Sequence, residues 1–219
     1  MYFKSRAEAG RQMADQLDEY KNKQCVVVAL NGGGVIVGAQ IAMRLHSSLV
    51  LLANESITIP GELNPIATMT SHTFTYNQDF SQGQIDEFSS EYRGFIEGAR
   101  IEKFHRLNHL YDDSGEVDRK FLRNHVVIVV ADALNGGAQL DVASDFLKPI
   151  KTTKLVVVTP LADVKAVDKM HLLGDDIYCM SVVENLMDVD HYYDDNNVPN
   201  TEEILKIIRN ISLNWNHPG

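Results

Sequence analysis

The sequence predicts an α/β domain built on a mainly parallel sheet. Two observations carry this. Short, continuous apolar runs, the pattern of strands buried on both faces, alternate with longer segments of helical periodicity through the 219 residues. Two of these runs end in glycine turns that lead into helices, Asn31-Gly32-Gly33-Gly34 and Asn135-Gly136-Gly137. A strand feeding a helix through a tight glycine turn is a common way to build an anion pocket, because backbone N–H groups and the helix dipole converge there.

The elements follow in order. Ser5 with Glu8 forms a capping-box pattern, and Ala9, Met13, Leu17 and Tyr20 then fall on one helical face. Cys25 to Leu30 reads as the first strand, Val35 to Leu45 as its helix and Leu49 to Ala53 as the second strand. A Pro/Gly break over Ile59–Pro65 precedes a Thr-rich hairpin over Ile66–Tyr76, set apart from the parallel core. Residues 77–85 read as a polar loop, and Ile85 to Leu110 as a helix whose face is Phe88, Tyr92, Phe95 and Ala99, continued by Phe104, Leu107 and Leu110. Gly94 and Gly98 weaken that helix by about 1 kcal/mol each. Tyr111–Glu116 reads as a turn. Strands are then expected at His125–Val130, Leu155–Thr159 and Ile177–Val182, and helices at Ala138–Leu147, which stops before Pro149, and Asp163–Leu173. The acidic stretch Asp188–Asp195 reads as loop. A last helix starts near Asn200, which can cap with Glu203.

Length fits one domain spanning 1–219. Thirty acidic against 20 basic residues give a net charge of −10, which argues against nucleic acid or an anionic membrane as the main partner. No apolar run approaches the roughly 18 residues that span a bilayer. The first ten residues have no long apolar stretch after their charges, so no signal peptide is expected. Cys25 and Cys179 sit in apolar runs and read as core thiols, which fits a cytoplasmic protein.

Both glycine turns lie at carboxyl ends of expected strands, where ligands bind in such sheets. The first, with Gly32, Gly34 and Gly38, is a loose dinucleotide fingerprint that Glu55 completes, and a tight turn with close packing explains the same glycines. The second follows a carboxylate, Asp132, at the end of Val126–Val130. Its plain reading is an ordinary strand-to-helix turn; together, the two turns can hold two phosphate groups of one ligand. Arg93, Arg100, Lys103 and Arg106 read as a solvated helix face pairing with Glu97 and Glu102. His105 and His109 read as a surface pair, and Asp188, Asp190, Asp194 and Asp195 as a solvated acidic loop, so no metal site is expected on the chain. Tyr192 and Tyr193 can stack a base or pack internally.

Several segments together resemble the type I phosphoribosyltransferases, and within them a bacterial subgroup of stand-alone enzymes of uncertain substrate. Phe3–Gly10 resembles that subgroup's opening, and Ala29–Val35 its pyrophosphate loop, usually Leu-Pro-Arg-Gly-Gly-Val. Ile59–Thr68 resembles the segment with a Pro, an acidic residue and an Ala-rich strand, and His191–Asp194 an aromatic-acidic segment near the C-terminus. Val126–Leu140 aligns with the phosphoribosyl-diphosphate motif: a hydrophobic strand, two acidic residues and a Thr-Thr-Gly-x-Thr phosphate loop.

The resemblance implies a Rossmann-like parallel core with a small hood at about 59–111. It implies that Asp132 is the second acidic residue, the catalytic carboxylate that holds a ribose hydroxyl, while Ala131 replaces the first. Asn135, Gly136, Gly137, Ala138 and Gln139 fall on the phosphate loop, with its glycine kept at Gly137 and its three threonines lost. Asn31 and Gly32 stand where Pro and Arg are usual and Gly33 keeps a glycine, so the fixed positive charge near the pyrophosphate is missing, and Arg93, Arg100, Lys103 and Arg106 are the nearest cations that can replace it. The implied partner is a phosphorylated ribose or nucleotide. The implied reaction is transfer of phosphoribose from its diphosphate, with Mg²⁺ on the diphosphate, to an acceptor the sequence does not name. A homodimer is expected on base rates. Loss of the first carboxylate, at Ala131, and of the threonines makes an inactive sensor or scaffold the alternative, with an NAD(P)-binding oxidoreductase behind it.

Overall fold

The computed structural model describes residues 2–114, 117–184, 186 and 188–215, with backbone alone at 109–114 and 212–215. The elements in chain order are β1 (Phe3–Ser5), α1 (Arg6–Gln16), β2 (Cys25–Ala29), α2 (Gly32–Leu45), β3 (Ser48–Leu51), β4 (Glu55–Ile57), β5 (Ala67–Met69), β6 (Phe74–Tyr76), α3 (Gln82–Glu91), α4 (Arg93–Ser114), β7 (Val126–Val130), α5 (Ala138–Leu147), β8 (Lys154–Asp163), α6 (Val164–Leu173), β9 (Asp176–Val183), β10 (Tyr193–Asp195) and α7 (Thr201–Trp215). The expected α/β architecture is what forms: a five-stranded parallel sheet in the order β3-β2-β7-β8-β9.

Strand periodicity explains the two cores. Val27 and Ala29 of β2 and Ile128 and Val130 of β7 point to one face, where Met13, Leu17, Val35 and Ile41 of the α1/α2 side cover them. Val26, Val28, Val127 and Val129 point to the other, against Leu140, Phe146 and Met170 of α5 and α6. Because both faces are covered, these strands have no polar side, which is why they read as continuous apolar runs.

Close packing accounts for most glycines of the first turn. Asn31 caps α2 by accepting from the Gly34 N–H at 2.6 Å, so the expected loop 32–34 is already helix. A Cβ on Gly34 would lie 2.9 Å from the Val130 carbonyl oxygen, and one on Gly38 2.9 Å from Val130 Cγ1. Those two glycines let α2 lie against the sheet.

The hairpin at 66–76 forms and gains a third strand. β4 pairs antiparallel with β5 and β5 with β6, in the register Ser56↔Thr68 and Thr68↔Thr75. Ile57, Ile66, Met69, Ile96 and Leu107 give this sheet and α4 a small core of their own. The helical stretch starts earlier than expected, at Gln82, because Ser81 and Gln84 form a reciprocal capping box. It also breaks at Tyr92, but one helical face continues through the break, with Phe88, Tyr92, Ile96, Ala99 and Leu107 on the hairpin core. Leu107 is buried as expected, whereas Ile96 takes the inward position expected of Phe95, and Phe95 and Phe104 are exposed. Residues 111–114 continue α4 instead of turning; 115 and 116 and the side chains of His109 and Leu110 lie outside the described residues.

The acidic stretch also departs from expectation. Tyr193–Asp195 pairs parallel with β1, Phe3 opposite Tyr193 and Ser5 opposite Asp195. This two-stranded ribbon lays the start of α1 across the carboxyl end of the main sheet. No helix is long and apolar enough to cross a membrane among the described residues.

This packing sets two expected outcomes. A Cβ on Gly10 would lie 2.7 Å from the Val37 carbonyl oxygen and 2.9 Å from its Cα, at the crossing of α1 and α2. Gly10→Ala should therefore lower stability in urea by about 1–3 kcal/mol, whereas an exposed helical glycine would gain about 1 kcal/mol from the same change. Burial pushes the Cys25 thiol up to about 11 and also raises that of Cys179. Both should resist iodoacetamide at pH 8 in the native protein and react together in denaturant.

Candidate functional site

Asp132 lies two residues past the end of β7, after Ala131, and is buried. Both its oxygens are engaged: Oδ1 accepts from the Ala133 N–H at 3.0 Å, and Oδ2 accepts from Arg6 Nε at 2.7 Å. Arg6 is the first residue of α1 and is only 2% exposed. Its Nη2 donates to Asp190 at 2.5 Å and its Nη1 to the Asn196 carbonyl at 3.1 Å, while the guanidinium lies 4.6 Å above the Tyr193 ring. The Tyr193 hydroxyl donates to the Asp132 backbone carbonyl at 2.7 Å. Burial opposes the Arg6 charge, but hydrogen bonds to Asp190 and Asp132 outweigh it and hold the guanidinium above its ordinary range. Burial, then the Asp132 charge, pushes the Tyr193 phenol upward, so it stays a neutral donor. Gly33 completes the packing, since a Cβ there would overlap Asp132 Oδ2.

A cleft of about 390 Å³ opens beside this cluster. Of the residues singled out from the sequence, Asn31, Gly32, Gly33, Asp132, Asn135, Ala138 and Gln139 line it, together with Arg6. Gly136 faces a neighbouring cleft of about 220 Å³. Gly137 packs against Lys169, whose Cδ would lie 2.5 Å from an added Cβ. The turn itself has the conformation that needs glycine, with φ of +66° at Gly136 and +80° at Gly137.

Much of the turn's hydrogen-bonding capacity is used internally. The Asn135 amide donates to the Leu186 carbonyl at 2.6 Å. The Gly136 N–H donates to Asp163 Oδ2 at 2.9 Å, while Asp163 Oδ1 caps α6 through the Ala166 N–H at 2.7 Å. Lys169 bonds Asp141 at 2.6 Å and reaches Asp79 at 3.5 Å. The N–H groups of Ala138 and Gln139, in the first turn of α5, have no intrahelical acceptor. Gln139 Oε1 is buried without a partner.

These residues do not fit a Mg²⁺ ion at Asp132. Ala131 offers no second carboxylate, and a guanidinium already occupies Oδ2 of Asp132. No group of three or more His, Cys, Asp or Glu is placed to hold a metal among the described residues.

The helix cations pair as expected in part: Arg106 with Glu102 at 2.6 Å and Arg100 with Glu97 at 3.9 Å. Lys103 instead bonds Glu55 at 3.0 Å, which occupies the carboxylate of the dinucleotide reading. The acidic stretch is only partly a solvated loop, because Asp190 is on Arg6 and Asp188 accepts from the Asp190 N–H at 3.0 Å.

Arg6, Asp163 and Asp190 are the site residues that sequence reasoning missed. The positive charge absent from the first glycine turn is present after all, delivered from the N-terminus by Arg6. It lies within Phe3–Gly10, so the motif was visible, but nothing local showed that its arginine reaches Asp132, 126 residues away.

No protein-family model matches the chain. It is 26% identical over 186 residues to a protein of Mycobacterium tuberculosis named as a putative phosphoribosyl transferase, found in strains H37Rv and CDC 1551. The match covers 82% of this chain but 40% of those curated relatives. Among solved structures the chain is similar to TT1426 from Thermus thermophilus, with a TM-score of 0.72 and 21% identity over 98% of this chain and 99% of that one.

Breaking the buried pair should be costly. Arg6→Met leaves Asp132 without its buried cation and should lower stability by about 3–5 kcal/mol in urea denaturation. Asp190→Asn, at the half-exposed end of the same guanidinium, should cost at most about 1 kcal/mol.

Proposed function

We propose that this protein, supported as a phosphoribosyltransferase-family member of uncertain substrate by its sequence relatives and its fold, binds a phosphorylated ribose or nucleotide in the central cleft without transferring it. The observation that carries this reading is Asp132, whose two oxygens are held by Ala133 and Arg6. Transfer at an anomeric carbon develops positive charge on the sugar, and a carboxylate already neutralised by a buried guanidinium is poorly placed to stabilise it. Ala131 supplies no second carboxylate. What the cleft keeps is recognition: the free N–H groups at the start of α5 favour an anion, and its volume is within the ordinary range for small-ligand sites. In this reading 1–219 acts as one unit, with 59–111 as a hood that, with Ser56 just before it, contributes Pro65 to the cleft wall.

Transfer of phosphoribose from phosphoribosyl diphosphate is the second reading. It is favoured by Arg6, which restores a fixed cation to the cleft.

Ribose 5-phosphate at about a hundred times its Kd should stabilise the fold by about 2.7 kcal/mol. Phosphoribosyl diphosphate with Mg²⁺ and a panel of bases should release no pyrophosphate. Pyrophosphate release with any base favours the second reading, and no stabilisation by either ligand removes both. Ala138→Phe, which fills the cleft from the start of α5 and leaves Asp132 itself unchanged, should abolish the thermal shift. Asp132→Ala is the wrong probe, because it strands a buried arginine.

A further inference from the structure

The Arg6 guanidinium uses its two edges differently. Nε faces inward to Asp132 and is buried with it, whereas Nη2 faces Asp190, whose side chain is 49% exposed. Nη1 takes only a backbone carbonyl, that of Asn196. Arg6 lines the central cleft, and so do Val189 and Val198, which flank the segment carrying Asp190 and Asn196. Arg6 therefore shares the cleft lining with Ala138 and Gln139 of an anion-favouring helix start, while Asp190, on its outer edge, is half exposed and next in sequence to the lining residue Val189.

We infer that Arg6 is the phosphate-binding group of this cleft, and that Asp190 is a built-in occupant which the phosphate of a ligand displaces. The inference rests on the proposed binding of a phosphorylated sugar. Carboxylate and phosphate oxygens make the same charge-assisted hydrogen bonds to a guanidinium edge. Asp190 and the ligand therefore compete for Nη2 while Nε stays on Asp132, so the buried pair survives the exchange. Asp190 sits on one turn, Asp190–Tyr192, anchored behind by Tyr193, so its carboxylate can leave Arg6 without unpairing β1 from β10. The competition lowers apparent affinity by the fraction of time Asp190 occupies the edge. It also selects ligands whose phosphate charge exceeds that of the single carboxylate it replaces.

Titration calorimetry with ribose 5-phosphate and with inorganic phosphate, on the wild type, Asp190→Asn and Asp190→Glu, tests this. The contact of the half-exposed Asp190 with Arg6 is worth at most about 1 kcal/mol, so removing the competitor should tighten both ligands by up to about 5-fold in Asp190→Asn. Asp190→Glu, which keeps a carboxylate, should stay close to wild type. Amide exchange across 188–197 should rise when ribose 5-phosphate binds the wild type and stay unchanged in Asp190→Asn. Equal affinity in all three proteins overturns the inference and leaves the binding reading standing. Weaker binding in Asp190→Asn, with its melting temperature intact, also overturns it, because Asp190 would then assist the ligand. Absence of binding in every protein sinks the binding reading and this inference together.

Discussion

The ion pair between Arg6 and Asp132 organises the carboxyl end of the sheet. A guanidinium only 2% exposed is tolerable only if its donors are met, and Nε, Nη1 and Nη2 each find an acceptor, from Asp132, Asn196 and Asp190. Meeting that demand brings residues from both ends of the chain together, which is what β1 and β10 do by pairing. Tyr193 supports the pair from two sides, its ring under the guanidinium and its hydroxyl on the Asp132 carbonyl. Gly33 is bound by the same constraint, since the carboxylate fills the space where a side chain would begin.

A second theme is that the chain's own carboxylates stand in places suited to a ligand anion. Asp163 takes the Gly136 N–H of the second glycine turn, and Asp190 takes the outer edge of Arg6. Each satisfies a donor of a residue that lines a cleft. With a net charge of −10, the protein can fill anion-binding positions from within, and local cations matter more than the overall balance in attracting a phosphate. The turn carries no hydroxyl side chain, and its glycines take φ of +66° and +80°, so what it can offer an anion is backbone geometry and amide groups.

Elements whose causes are local were legible in the sequence. The buried strands show as apolar runs because both faces of the sheet are covered, and α5 runs over Ala138–Leu147 as its pattern implies. The caps at Ser5 and Asn200 form where the side chains suggest, with Asn200 and Glu203 bonding each other's backbone N–H at 3.0 Å. The exposure of Phe95 and Phe104 was not legible, because adjacent apolar residues such as Phe95 and Ile96 compete for one face and only tertiary packing chooses between them. Three-residue strands such as β1 and β10 carry too few residues for a period. The site was half legible: the turns and Asp132 stood out, but the partners of Asp132 lie far off in sequence, and a lone arginine or aspartate has no pattern that reveals its mate.

The central claim is that Arg6 remains with Asp132 when the cleft is filled. A crystal structure with ribose 5-phosphate measures this directly. It should show the phosphate within hydrogen-bonding distance of Arg6 Nη2, Asp190 turned to solvent and the Nε contact to Asp132 preserved. A complex in which Arg6 has left Asp132, and the freed carboxylate grips the ribose hydroxyls, would contradict the claim and return the site to transferase chemistry.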